Sequence, residues 1–242
     1  MTGVTASAPA GQPIAIDGVS RRWRELTVLD GVDLTVEAGQ TLAVVGPSGC
    51  GKSTLLTLIC GLLEPDRGAI TVGGAAAAEQ RLRRCALMPQ DDLLLPWRSA
   101  IDNAALALVN AGASRDAARE AAAPLFEQFG LSGFEQTRPS RLSGGMRQRV
   151  AFLRTLLAGK GVLLLDEPFA SLDALTREDL QLWLRDALER EGRTTVLVTH
   201  DVDEALRTCR WMAVMSSRPG RVVLHAETAT LDRERVLEAL RG

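Results

Sequence analysis

The segment Gly46-Pro47-Ser48-Gly49-Cys50-Gly51-Lys52-Ser53-Thr54 constrains the fold of this chain more than any other. It has the spacing G-x-x-x-x-G-K-S. It lies between two apolar runs, Thr41-Leu42-Ala43-Val44-Val45 and Leu55-Leu56-Thr57-Leu58-Ile59-Cys60. The first run reads as a buried strand and the second as the opening turns of a buried helix. Glycines in the turn let successive backbone amides converge on one anion, and the helix N-terminus adds partial positive charge at the same spot. In this pattern the lysine, here Lys52, reaches the β- and γ-phosphates, and the hydroxyl at Ser53 is placed to ligate Mg²⁺. A strand–loop–helix unit of this kind belongs in an open α/β sheet, which binds ligands beyond the carboxyl ends of its strands.

The other strand-like runs end in polar residues suited to that edge. Cys85-Ala86-Leu87-Met88 is followed by Pro89-Gln90, which puts Gln90 on the ligand side. Val162-Leu163-Leu164-Leu165 ends in Asp166-Glu167. Asp166 suits Mg²⁺, directly or through water, and Glu167 suits orienting or deprotonating an attacking water. The plainer reading is an acidic exit from a strand. Thr194-Thr195-Val196-Leu197-Val198-Thr199 ends in His200, which can donate to a γ-phosphate or merely cap the strand. Leu142-Ser143-Gly144-Gly145-Met146 opens a helix, either as an ordinary N-cap or as a second anion site. Trp23 lies between two short strands expected over 14–19 and 31–36. It is either a half-buried surface aromatic or a stacking face for a nucleotide base.

From 91 to 142 strand signals vanish. The stretch is Ala-rich, with helical patterning over 100–110 and 115–129, as expected of a helical insert. At its entrance Leu93-Leu94-Leu95-Pro96-Trp97 is either core or an exposed patch for a partner. Further on, Ser171-Leu172-Asp173 caps a helix over 175–191 with Trp183 on its packed face. A strand over 210–216 turns at 218–221 and returns over 222–224, and a C-terminal helix is expected over 225–242. Residues 1–13 are rich in Ala, Ser, Thr, Gly and Pro, with no basic start and no apolar centre, so they read as a floppy, disordered tail rather than a signal peptide.

At 242 residues the chain fits one large domain, or a core with a subdomain. Its net charge of −2 leaves no nucleic-acid footprint. Cys50, Cys60, Cys85 and Cys209 show no paired spacing, and Cys50 sits inside the glycine-rich loop, so all are expected to be reduced and cytosolic. No apolar run approaches the roughly 18 residues of a membrane helix, so a membrane role would have to run through a partner.

In order and spacing these segments resemble the ATPase subunit of the ATP-binding cassette transporters, over about residues 14–224. The family's phosphate loop aligns with 46–54, its Q-loop with Gln90 and its signature with 142–145. Its carboxylate strand aligns with 162–167, its D-loop with 171–173 and its switch histidine with His200. Trp23 falls where the family places an adenine-stacking aromatic. Two departures are Met146, where the signature usually carries Gln, and Phe152-Leu153-Arg154-Thr155, where the helix is usually small and Ala-rich. The segment 94–97 with Asp102-Asn103, together with Asp173-Ala174-Leu175-Thr176-Arg177 and Arg218-Pro219-Gly220-Arg221, is similar to cassettes of nitrate, sulfonate and taurine importers. Cassettes for the hydroxymethylpyrimidine precursor of thiamine are similar too.

The resemblance implies an α/β fold: a P-loop NTPase core with a RecA-like mixed sheet and flanking helices, over 14–90 and 150–224. It also implies an N-terminal antiparallel β subdomain and a helical subdomain over 91–149. It implies ATP held by Trp23, residues 46–54 and Gln90, and Mg²⁺ held by Ser53, Gln90 and Asp166. Glu167, His200 and Lys52 would serve catalysis. Ser143, Gly144 and Gly145 would complete the ATP site of a second copy of the chain, packed head to tail. The implied partners are membrane permease subunits at the cytoplasmic face and, indirectly, an extracytoplasmic solute-binding protein, with no nucleic acid. The alternatives are an exporter ATPase, a soluble non-transport cassette and a small-molecule kinase. Segment 95–97 speaks against the first and the lack of a second cassette or long insert against the second. A kinase would have no use for the Ser-Gly-Gly signature.

Overall fold

The computed structural model describes residues 10–170 and 172–241, without the side chains of residues 175 and 189. Residues 1–9 of the expected tail and Ser171 of the expected D-loop lie outside the described residues. The described chain divides into two compact units. The first runs up to Leu87 and takes in Lys160–Asp166 and everything from Gln181 onward. The second comprises Met88–Gly159 and Glu167–Leu180.

In the first unit, β1 (Ile14–Trp23), β2 (Leu26–Val36) and β4 (Arg67–Val72) form an antiparallel sheet in the order β2-β1-β4. A second sheet runs β5-β6-β7-β3-β8-β9. Its strands are β3 (Thr41–Val45), β5 (Cys85–Met88), β6 (Val162–Asp166), β7 (Thr194–Thr199), β8 (Trp211–Met215) and β9 (Val222–Glu227). Strands β6, β7, β3 and β8 pair in parallel, and β9 returns antiparallel to β8. Every residue of β6 and β7 is buried, which is why their sequences are continuous apolar or Thr runs rather than alternating ones. Helix α1 (Lys52–Ile59) packs on β4, β6 and β7. Its Leu55, Leu56, Leu58 and Ile59 join Ile14, Val28, Leu29, Val44, Leu164 and Val198 in one core.

The structure corrects several element boundaries. The first two strands run past 14–19 and 31–36, because Arg22 and Trp23 keep pairing with Thr27 and Leu26 across a tight turn. Helix α2 (Ala78–Arg84) has no apolar stripe to announce it. It is held by arginines: Arg81, 1% exposed, bonds the Ile70 carbonyl (3.0 Å) and Glu64 (2.8 Å), and Arg84 bonds the carbonyls of Val72 and Gly73. The C-terminal helix α9 starts at Arg233, not 225, because His225 and Glu227 still pair with Ala213 and Trp211. Residues 10–13 are tied down, with the Gly11 amide on the Gly192 carbonyl and the Pro13 carbonyl accepting from Gly73.

The second unit is helical: α3 (Ala100–Ala104), α4 (Leu106–Asn110), α5 (Arg115–Gln128) and α6 (Gly144–Leu156). The single helix expected over 100–110 is broken at Ala105, where a buried helix gives way to one with no buried residue. Helix α3 packs on α5 and α6, so all of α6, rather than its first turn, belongs to this unit. Phe152 stacks obliquely between Phe129 (5.6 Å) and Phe169 (6.3 Å). Asp102 and Asn103 have structural work here. Arg119 forks onto both Asp102 oxygens at 2.8 and 2.9 Å and holds its carboxyl below the usual range. The buried Asn103 amide accepts from Leu95 N–H and donates to the Leu95 and Ser99 carbonyls. Helix α7 (Ala174–Glu191) runs from this unit into the first and α8 (Val202–Thr208) lies wholly in the first. Among the described residues no helix is long and apolar enough to cross a membrane.

Candidate functional site

Parallel registry puts the carboxyl ends of three strands at one edge of the first unit. Val45 of β3 pairs with Thr199 of β7, and Asp166 of β6 pairs with Val198. The chain leaves that edge as the 46–54 loop, as Asp166 and as His200. The structure therefore gathers these three expected site elements in one unit.

The loop has the electrostatics of an anion cradle. Lys52, only 6% exposed, donates from Nζ to the carbonyls of Gly46 (2.7 Å) and Pro47 (3.0 Å). Arg218 donates from Nε to the Gly49 carbonyl at 2.9 Å, and from Nη2 as well. Among the described residues no protein acceptor meets the amides of Gly49, Gly51, Lys52 or Ser53. Two cations thus hold the loop's carbonyls while these four amides have no acceptor among the described residues at the start of α1, whose N-cap has no side-chain acceptor. Gly51 is one residue here that needs to be glycine. Its φ is +109°, and a Cβ there would sit 2.6 Å from the Leu29 side chain. Ser48 and Ser53 are exposed, Pro47 and Thr54 half-buried, and Gly46 and Cys50 buried. Burial pushes the Cys50 thiol up against the opposing pull of Lys52. All four cysteines are free and buried.

Asp166 is 6% exposed at the end of β6, and His200 is exposed just past β7. Ser53 and Asp166 offer hard oxygen donors, and no cluster of three His, Cys, Asp or Glu among the described residues makes a closed cage. That donor set fits Mg²⁺, which keeps waters and substrate phosphate oxygens rather than filling its sphere from protein. Trp23 is 47% exposed, with the Arg21 guanidinium 4.8 Å from its ring centre.

Gln90, Ser143, Gly144, Gly145 and Glu167 belong to the second unit. Gln90 is exposed beyond β5. Ser143 is the N-cap of α6, its Oγ accepting from the Met146 amide at 3.2 Å, with Gly144 exposed and Gly145 half-buried beside it. Glu167 is half-buried and sits at φ +47°, a left-handed conformation that costs a non-glycine residue about 1–3 kcal/mol. Asp173 caps α7 by accepting from Thr176 N–H at 3.1 Å, and that bond holds its carboxyl low.

Three arginines that sequence reading gave no role also matter. Arg147 pairs with Asp92 (2.9 Å), and Arg154 donates to the carbonyls of Asp92 (2.7 Å) and Leu93 (2.8 Å). They stand seven positions apart on α6, so their common face was readable from spacing. Arg218 lies far along the chain from Gly49, and no spacing points to it. The patch over 93–97 divides: Leu94 is buried, while Leu93 and Trp97 are 62% and 69% exposed.

Residues 29–170 match the family described as ABC transporter. The chain is 42% identical over 212 residues to a taurine import ATP-binding protein, TauB, of Burkholderia pseudomallei, covering 88% of this chain and 81% of that protein. It is 46% identical over 200 residues to an aliphatic sulfonates import ATP-binding protein, SsuB 1, of Rhodococcus jostii, covering 82% and 78%. Among solved structures, it is similar to the dimeric post-hydrolysis state of an ATP-binding cassette bound to ADP and Pi, with a TM-score of 0.81 at 26% identity over 89% of this chain and 98% of that one. Its fold is also similar to that of cbiO1 of Clostridium perfringens, described as part of the ABC transporter complex cbiONQ, with a TM-score of 0.79 at 24% identity over 93% and 92%.

Proposed function

This chain belongs to the ABC transporter family, and from that premise we propose that it is the ATP-hydrolysing subunit of an importer for a small sulfonate such as taurine. The observation that carries the nucleotide reading is the 46–54 loop, whose carbonyls are held by Lys52 and Arg218 while the amides of Gly49, Gly51, Lys52 and Ser53 meet no acceptor among the described residues and are available to phosphate. The solute class rests on the names of the taurine and sulfonate import relatives.

The roles follow from chemistry. The loop amides and Lys52 bind the phosphates. Ser53 and Asp166, and by the family resemblance Gln90, would be the oxygen donors for Mg²⁺, which would supply positive charge to the phosphates. Glu167, next along the chain from Asp166, accepts the proton of the attacking water, and His200 holds the γ-phosphate by a hydrogen bond. Trp23 offers its indole face to the adenine.

A second copy of the chain supplies Ser143, Gly144 and Gly145 to the far side of the nucleotide. The two anion-suited helix starts, at α1 and α6, support this, as does the dimeric state of a similar cassette. ATP then joins two copies, and hydrolysis parts them. Permease subunits at the cytoplasmic face of the membrane take up that motion through the exposed Leu93 and Trp97. An extracytoplasmic solute-binding protein delivers the solute to the permease.

The test is Glu167→Gln. ATP binding should persist while turnover falls by about two to four orders of magnitude, the scale of a lost acid–base group. Turnover at the normal rate would remove Glu167 from the chemistry. Loss of growth on taurine as sole sulfur source after gene deletion tests the solute, and unchanged growth would exclude it.

A further inference from the structure

The turn that links β8 to β9 packs against the phosphate loop and against β2 at once. On the β2 side, the Gly220 amide donates to the Val28 carbonyl (2.8 Å), and the Asp30 amide donates to the Gly220 carbonyl (3.2 Å). Arg221 pairs with the Asp30 carboxylate. On the loop side, Gly220 passes so close that a Cβ there would lie 2.2 Å from the Cys50 carbonyl oxygen. Arg218 reaches from the same turn with two donors onto the Gly49 carbonyl. Ser216 braces the turn internally, accepting from Arg221 N–H and donating to the Pro219 carbonyl, each at 3.1 Å.

The peptide unit between Gly49 and Cys50 is planar, so a cation fixed on its carbonyl also fixes the direction of the Cys50 amide. That amide closes the tight turn of the loop onto the Pro47 carbonyl at 3.3 Å, a long bond that offers little hold by itself. The charge-assisted pair from Arg218 is the stronger constraint on this peptide. It comes from a segment that is itself anchored on β2, so the loop is held from outside its own sequence.

We propose that Arg218 is a positioning residue for nucleotide binding: from its anchored turn it fixes the Gly49–Cys50 peptide and keeps the phosphate loop in its anion-binding shape before nucleotide arrives. This rests on the reading of residues 46–54 as a nucleotide site. Loss of the guanidinium should let the loop populate other shapes, and binding would then bear the cost of reordering it.

The experiment is titration of the full chain with Mg-ATP, for the unaltered protein, Arg218→Ala and Arg218→Lys, alongside thermal melting of each without nucleotide. Arg218→Ala should raise the Kd about tenfold, the scale of one charge-assisted hydrogen bond, with the nucleotide-free melting temperature unchanged within about 2 °C. Arg218→Lys, which keeps a cation within reach of the carbonyl, should recover part of the loss. A Kd for Arg218→Ala equal to that of the unaltered chain overturns the inference and leaves the nucleotide site standing. So does a Lys variant as weak as the Ala variant, since a merely space-filling role would give that result. Failure of the unaltered chain to bind Mg-ATP overturns the functional reading itself.

Discussion

The Lys52 ammonium lies 2.7 Å from the Gly46 carbonyl oxygen, at the opposite end of its own loop. A buried ammonium needs compensation for its lost hydration, and here backbone carbonyls of the loop supply it. The lysine therefore braces the loop as well as facing its ligand. Lys52→Ala should abolish nucleotide binding and also release the carbonyls of Gly46 and Pro47. Equilibrium titration with Mg-ATP reads the first effect. Faster exchange of the Cys50 amide, which bonds the Pro47 carbonyl, reads the second. Retained affinity in this variant would contradict the cradle.

Glu167 occupies a backbone conformation that suits glycine better. Glu167→Gly should therefore be more stable than Glu167→Ala by about 1 kcal/mol, although glycine ordinarily destabilises relative to alanine. Both variants should lack turnover. Chemical denaturation of the pair checks the ranking, and an alanine variant at least as stable as the glycine one would show that the position is unstrained.

Within the helical unit, Arg154 spans the carbonyls of Asp92 and Leu93 from α6. Arg154→Met leaves both carbonyls to water and should lower stability by about 1 kcal/mol. The sharper readout is local. The Leu94 amide, bonded to Asp92 Oδ1 at 3.1 Å, should exchange faster, while the Leu95 amide, bonded to the buried Asn103 at 2.7 Å, should not. Equal acceleration at both would mean that the whole segment depends on Arg154.

How far the sequence revealed the molecule depends on the range of the interaction. The strand, loop and helix around residues 41–59 were legible because apolar runs and a glycine-rich turn are local patterns, and the parallel sheet followed from strands buried on both faces. The polar residues at the ends of β5, β6 and β7 followed from the same logic. Helix α2 was not legible, because its burial rests on Arg81 and Arg84 binding carbonyls of β4, a pattern that looks like surface charge. The Arg218 hold on Gly49 crosses most of the chain and leaves no periodic trace. The conformation of Glu167 is set by its surroundings and not by its own preference. Ser143 shows the converse, since both readings of it were open in sequence and the structure gives it a cap bond to Met146.

The claim on which the functional account depends is that ATP joins two copies of this chain. Light scattering on Glu167→Gln with saturating Mg-ATP measures this directly. The account predicts a shift from monomer mass to dimer mass, with reversal when nucleotide is removed and no shift for Lys52→Ala. A Glu167→Gln protein that binds Mg-ATP and yet keeps monomer mass, alone and with its permease, would contradict it.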